Sequence, residues 1–129
     1  MENPEQHQIK VRLAKGDDLT RICEIYSQHF GYTEAPPRQW WNILEDNSIT
    51  YIVVEDETHV VGVASMITIN KLIRSGNRIA VIEDVAVDKS AKGTGIGSMM
   101  IEFLKDLAVE KNCYKTILNC SKKNVGFYE

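Results

Sequence analysis

Alternate glycines in Lys92-Gly93-Thr94-Gly95-Ile96-Gly97-Ser98 stand between an apolar run, residues 79–87, and the most regular helical period of the chain. That period is carried by Ile96, Met99, Met100, Phe103, Leu104, Leu107 and Ala108, spaced as one face of an α-helix. Strand, glycine turn and amphipathic helix in this order demand an α/β arrangement, with the helix folded back on a sheet. Glycines let the backbone curl around a ligand with no Cβ in the way. The helix start behind them offers unpaired N–H groups and a partial positive charge. Together they make an anion site suited to phosphate or pyrophosphate, unless the segment is only a flexible loop before a helix. The spacing is not that of a Walker loop, GxxxxGK followed by Ser or Thr. A dinucleotide fold is disfavoured as well. Its glycines follow the first strand of a βαβ unit, whereas these come late and the next strand brings no acidic residue for a ribose.

The chain before the glycines reads as β. Residues 49–55 are rich in β-branched side chains, Asp56-Glu57-Thr58-His59 suits a hairpin turn, and residues 60–69 return. A polar link, residues 70–77, leads to the strand over 79–87, so three consecutive strands form an antiparallel meander. Upstream, residues 8–13 make a first strand with Ile9, Val11 and Leu13 on one face. Asp17 is placed to cap a helix carrying Leu19, Ile22, Ile25, Tyr26 and Phe30, which Gly31 stops. Pro36-Pro37 opens a second helix with Trp40, Trp41 and Leu44 facing inward, ended by Asp46-Asn47-Ser48. After the long helix, residues 114–120 form a last strand, reached by a right-handed crossover if it runs parallel. Residues 125–129 read as the first turn of a further helix, so more chain is expected there.

At 129 residues there is room for a single domain, and 43% hydrophobic with 26% charged residues is the content of a folded globular protein. The 15 Lys and Arg against 18 Asp and Glu leave a net charge of −3, which argues against a dedicated nucleic-acid binder. The most apolar stretch, residues 60–69, is short and interrupted by Gly62, Ser65 and Thr68, so no membrane span is expected. Met1-Glu2-Asn3-Pro4-Glu5 is acidic and polar, unlike a secretion signal. Cys23, Cys113 and Cys120 cannot all pair and show no CxxC spacing, which points to a reducing cytoplasmic or nuclear compartment, small buried thiols and no zinc site. His7, His29 and His59 sit in unrelated segments and suggest no triad or metal set.

Two further groups could carry chemistry. Glu83 and Asp84 interrupt an otherwise apolar strand whose neighbours alternate between faces. At least one carboxylate is then expected in the interior or in a cleft, as a structural group bonded to backbone N–H or as an amine-binding or proton-accepting group. Tyr128, four residues after Asn124, is either half of a Phe127-Tyr128 core pair or a hydroxyl able to protonate a leaving group.

Taken together, these residues resemble the GNAT superfamily of N-acetyltransferases. Its cofactor loop reads Arg or Gln, two variable residues, Gly, one variable residue, then Gly or Ala. Here the six are Lys92-Gly93-Thr94-Gly95-Ile96-Gly97, with lysine in first place. Within the superfamily the pattern is nearest to the glucosamine 6-phosphate N-acetyltransferases. Ile82-Glu83-Asp84-Val85-Ala86-Val87, Cys113-Tyr114-Lys115 and Asn124-Val125-Gly126-Phe127-Tyr128-Glu129 carry that likeness, in order and with matching spacing. The likeness is dense over residues 81–129 and weak over the first 70.

The resemblance implies a mixed α/β acyltransferase fold, a mostly antiparallel central sheet flanked by helices, with its closing strands expected beyond the sequence given. It implies acetyl-CoA as co-substrate, no metal, and a cytoplasmic homodimer that converts glucosamine 6-phosphate to N-acetylglucosamine 6-phosphate, towards UDP-N-acetylglucosamine. Backbone groups of Val85, Ala86 and Val87 would pair with the pantetheine arm as an extra strand. The loop Lys92, Gly93, Thr94, Gly95, Ile96, Gly97 and Ser98 would hold the pyrophosphate. Asn124 would sit near the cofactor, and Tyr128 would protonate the departing sulfur. A backbone N–H near Val85 would steady the oxyanion. Glu83 and Asp84 would face the amino sugar and take its proton. Lys71 and Arg74 match positions that touch substrate, and Tyr114 and Lys115 match positions that reach the sugar from a neighbouring subunit. Asn119 stands where this enzyme type carries a carboxylate, and an amide cannot act as a base. Two other readings keep the same residues: the same fold with another acceptor (a protein amine, polyamine or small molecule), and a CoA-binding domain without turnover.

Overall fold

Ile52, Val53 and Val54 follow one another in the sequence, and each is 0% exposed. Neighbours on a strand point to opposite faces, so the sheet that holds them is covered on both sides. The computed structural model describes residues 8–119. Its sheet has the order β1 (Lys10–Leu13), β2 (Ile49–Glu55), β3 (Val60–Asn70), β4 (Arg78–Val87) and β5 (Cys113–Leu118). The first four strands are antiparallel neighbours, and β5 lies parallel to β4. The crossover between those two is the long helix α4 (Ile96–Glu110). Helices α1 (Leu19–Phe30) and α2 (Pro37–Glu45) come before β2, and a single turn, α3 (Ile73–Gly76), lies between β3 and β4.

Each face of the sheet has its own core. Ile52, Val54, Met66 and Ile82 pack with Met100 and Leu104 of α4. On the other face, Val53, Val63 and Ala86 pack with Ile22 and Ile25 of α1 and Trp40 of α2. Five details differ from the sequence expectation. Trp40 is 4% exposed and donates Nε1–H to the Lys15 carbonyl at 3.2 Å, but Trp41 is 57% exposed. Adjacent residues on a helix diverge by about 100°, so both cannot face the core. Leu13 is 60% exposed because β1 is a short edge strand, and Phe30 is 47% exposed at the last position of α1. Asp18, not Asp17, organises the entry to α1: its carboxylate accepts the Lys15 N–H at 2.7 Å and an Arg12 Nη1–H at 2.8 Å. Cys23 and Cys113 are only partly buried.

β4 departs from regularity where the carboxylates stand. Its register with β3 passes from Ser65 opposite Glu83 to Val63 opposite Ala86, so Asp84 and Val85 share Ala64 as partner. This is a β-bulge, and Asp84 has φ 52. Pairing between β4 and β5 runs from Arg78 to Ile82, and the Asn119 N–H closes it on the Ile82 carbonyl at 2.9 Å. Beyond Ile82, that edge of β4 has no strand beside it among the described residues.

Candidate active site

The glycine loop forms at the open end of β4. A short turn over Lys89–Ala91 leads into it, with the Ala91 N–H on the Asp88 carbonyl at 2.9 Å. Gly93 has φ 82 and Gly95 has φ 84, and a Cβ at either would meet nothing within 4 Å. Glycine is therefore required for its backbone, and the space in front of it is open. Gly95 is the N-cap of α4, whose first turn is capped by no side chain. Val87, Lys92, Gly93, Gly95, Gly97 and Ser98 line a cavity of about 280 Å³ there. A larger apolar depression of about 690 Å³ lies between α1 and the segment leading to α2, but the smaller cavity is where glycine amides, helix dipole and a lysine converge.

The strand edge beside the loop is directional. The Asp88 N–H donates to Val61 of β3 at 2.8 Å, so by alternation the Val87 peptide groups face the opposite edge. The Val87 carbonyl accepts from His29 Nε2 at 2.7 Å, and because a carbonyl only accepts, the ring proton is on Nε2. Ala86, 1% exposed, is paired with Val63 and turns its peptide groups into the sheet rather than to the open edge.

The carboxylates sit at the end of a polar row that sequence reasoning missed. Tyr51, Ser65 and Glu83 are register partners across β2, β3 and β4. The buried Ser65 hydroxyl donates to the Glu83 carbonyl at 3.0 Å, and Tyr51 stands opposite Ser65 in the β2–β3 register. Trp40 holds the Tyr51 ring edge-on at 5.3 Å. Burial, then the charge of Asp84 and finally that of Glu83 push the Tyr51 phenol up, against the pull of Ser65. Asp84 keeps over a third of its surface open to solvent, yet desolvation by its neighbours pushes its carboxyl up, an effect that solvent screening limits. The one sequence signal for this row was a serine within the apolar run of residues 60–69.

The basic residues gather elsewhere. Arg74, with φ 56, places its guanidinium 5.5 Å from the Tyr114 ring centre, and Lys115 pairs with Ile79 at the start of β4. Asp84 lies five residues further along β4, roughly 15–20 Å away at the rise of a strand. Arg74 and Tyr114 therefore come together, Lys115 follows on the opposite face of β5, and the carboxylates do not join them. Lys71 opens the same link, its N–H on the Asn77 carbonyl at 3.2 Å. Asn119 follows Leu118 and is tied to Ile82, next to Glu83. Asn124, Tyr128 and Cys120 lie outside the described residues.

Residues 17–129 match the Acetyltransferase (GNAT) family. The chain belongs to that family. This GNAT chain is 34% identical to the glucosamine 6-phosphate N-acetyltransferase of Trypanosoma brucei brucei, over 94% of its own length and 86% of that protein's. It is 35% identical to the enzyme of the same name from Candida albicans, over 86% of the chain and 72% of the relative. Its fold superposes on a Trypanosoma brucei acetyltransferase with a TM-score of 0.83 and 30% identity, covering 95% and 89% of the two chains. For glucosamine-6-phosphate N-acetyltransferase from Arabidopsis thaliana the TM-score is 0.82 at 28% identity, covering 94% and 88%.

Proposed function

We propose that this GNAT chain, as a single domain, transfers acetyl from acetyl-CoA to the 2-amino group of glucosamine 6-phosphate. The observation that carries the reading is the cavity at the N-terminus of α4, where the glycine amides and Lys92 meet the end of β4. The relatives that bear this activity in their names, aligned over most of the chain, support the choice of acceptor. Open space at Gly93 and Gly95 fits the cofactor's pyrophosphate, which their amides and Lys92 would hold. Bound acetyl-CoA supplies the activated acetyl group. Val87 and its neighbours at the bulge align the pantetheine arm. Asp84, whose carboxyl burial makes a better proton acceptor, and Glu83 orient the amine and take its proton. Tyr51, opposite the Ser65 whose hydroxyl bonds to the Glu83 backbone, steadies that pair. Asn124 contacts the cofactor and Tyr128 protonates the departing sulfur.

Lys71, Arg74, Tyr114 and Lys115 serve the sugar phosphate, with Tyr114 and Lys115 reaching it from the partner protomer of a homodimer, a reading that the separation of Lys115 from Asp84 along the sheet supports. Among the described residues no helix is long and apolar enough to cross a membrane, and we place the enzyme in the cytoplasm. Release of free CoA thiol with glucosamine 6-phosphate, glucosamine, a polyamine and a lysine peptide tests the reading. Glucosamine 6-phosphate should be the best acceptor and glucosamine a poor one. A better rate with another amine overturns the acceptor. Asn119, neutral where a carboxylate would supply a base, favours a second reading in which acetyl-CoA binds without turnover; calorimetric binding of acetyl-CoA with no thiol released for any of the four amines would establish it.

A further inference from the structure

Arg21, Gln28 and His29 share one face of α1, seven and eight residues apart, and that face is bonded to the stretch of chain that feeds the glycine loop. His29 donates to the Val87 carbonyl at 2.7 Å. Gln28 donates Nε2–H to Asp88 Oδ1 at 2.7 Å, and its Oε1 accepts the Lys89 N–H at 3.0 Å. Arg21 reaches Asp88 Oδ1 at 3.1 Å and the Val60 carbonyl at 2.8 Å. Asp88 is 7% exposed and also takes the Ser90 N–H at 3.2 Å and the Ser90 hydroxyl. Val87, Asp88 and Lys89 are thus each bonded directly to α1, and Ser90 is held through Asp88.

We propose that this face of α1 is a clamp that sets the geometry of the acetyl-CoA loop, with Asp88 as its hub and Gln28 and Asp88 as positioning residues. The inference rests on the cofactor reading above. Gly93 and Gly95 sit in the left-handed region with open space where a Cβ would stand, and the loop's own bonds, Lys92 N–H on the Lys89 carbonyl and Thr94 N–H and hydroxyl on the Ala91 carbonyl, run back to the turn that follows Asp88. A clamp immediately before it fixes where its amides start, and amides fixed in advance bind an anion without first being ordered. Sign matters too. A bare carboxylate this close in sequence to a pyrophosphate site would repel its ligand. Burial alone would raise the Asp88 carboxyl, but the Ser90 and Gln28 donors, and after them the Arg21 charge, absorb its charge and hold it well below the usual carboxylate range. None of these groups reaches the cavity in front of the glycines, so their effect passes through the backbone of residues 88–92.

The test compares two thioesters, acetyl-CoA and S-acetyl-pantetheine, which lacks the pyrophosphate. In folded Gln28→Leu and Asp88→Asn variants the KM for acetyl-CoA should rise about tenfold with kcat within about twofold of the parent. The kcat/KM for S-acetyl-pantetheine should stay at the parent value. Thermal melts establish folding, and Gln28→Leu alone decides the matter if Asp88→Asn does not fold. An unchanged KM for acetyl-CoA, or equal losses with both thioesters, overturns the clamp. A parent that shows no acetyl-CoA affinity by calorimetry overturns the cofactor reading instead.

Discussion

Asp84 holds a left-handed backbone inside a strand, a conformation that Asp and Asn tolerate better than most side chains because a short polar group can be satisfied locally. Such a residue persists only where its surroundings demand it, and here the demand is the bulge that sets Asp84 and Val85 against Ala64 of β3. Next to it, Tyr51→Phe removes one hydroxyl and leaves the ring on Trp40. The variant should lose about threefold to tenfold in kcat, the worth of one neutral hydrogen bond, with the KM for acetyl-CoA unchanged. Steady-state kinetics at varied acetyl-CoA would check this, and full kcat would reduce Tyr51 to packing. Gly95→Val forces a β-branched residue to φ 84 and fills the space before the loop. It should weaken CoA binding by at least about tenfold in calorimetry, because the phosphate approach is blocked.

β3 and α4 meet closely at Gly62. A Cβ there would lie 2.9 Å from Ile96 Cγ2 and 3.1 Å from Met100 Cε, so glycine lets the first turn of α4 settle on the sheet. Gly62→Ala should lower stability by about 1–3 kcal/mol, seen as a lower denaturation midpoint at unchanged slope. The β2–β3 hairpin carries its own pH dependence. Asp56 accepts the His59 N–H at 2.9 Å, the Thr58 N–H at 2.8 Å and the Thr58 hydroxyl at 2.9 Å, with the backbone bonds chiefly responsible for holding its carboxyl at about 2. A lowered folded-state pKa gives stability that is complete above the unfolded value of about 3.9 and is lost as pH falls towards 2. Urea midpoints at about pH 5 and about pH 2.5 should therefore fall less in Asp56→Asn than in the parent, and equal falls would assign the acid sensitivity elsewhere. Asp18, whose burial is outweighed by Arg12 and the Lys15 N–H, is shifted in the same direction and adds to it.

At the scale of the molecule, the separation of Lys115 from Asp84 is the consequential fact. If each site draws its carboxylates from one protomer and its phosphate ligands from the other, Asp84→Asn and Lys115→Ala should each be weak alone. Co-expressed, they should regain activity in mixed dimers, which hold one intact site. A mixture no better than its parts would place both residues in a single protomer's site. The entry segment is tied to the sheet by Arg12, bonded to Asp18 at 2.8 Å and to Glu55 at 3.2 Å. Removing the guanidinium in Arg12→Met leaves a largely buried Asp18 carboxylate and should cost about 2–3 kcal/mol in chemical denaturation.

The loop over Lys92 to Ser98, α4 and the β2–β3 hairpin were legible from the amino-acid sequence because each follows from residues that are neighbours along the chain. Alternate glycines, a 3.6-residue apolar period and an Asp at a tight turn act locally. The carboxylates were visible too, but simple alternation placed Glu83 and Asp84 on opposite faces. The bulge depends on which β3 residue stands opposite, and no run of β4 alone contains that. The same holds for Tyr51 and Ser65, brought to Glu83 by the pairing of three strands, and for Gln28 and Asp88, which are 60 residues apart. Periodicity is a property of a segment with itself, so sequence carries it. Register and the seating of a helix on a strand end are chosen by the packing of distant segments, and only the folded chain decides them.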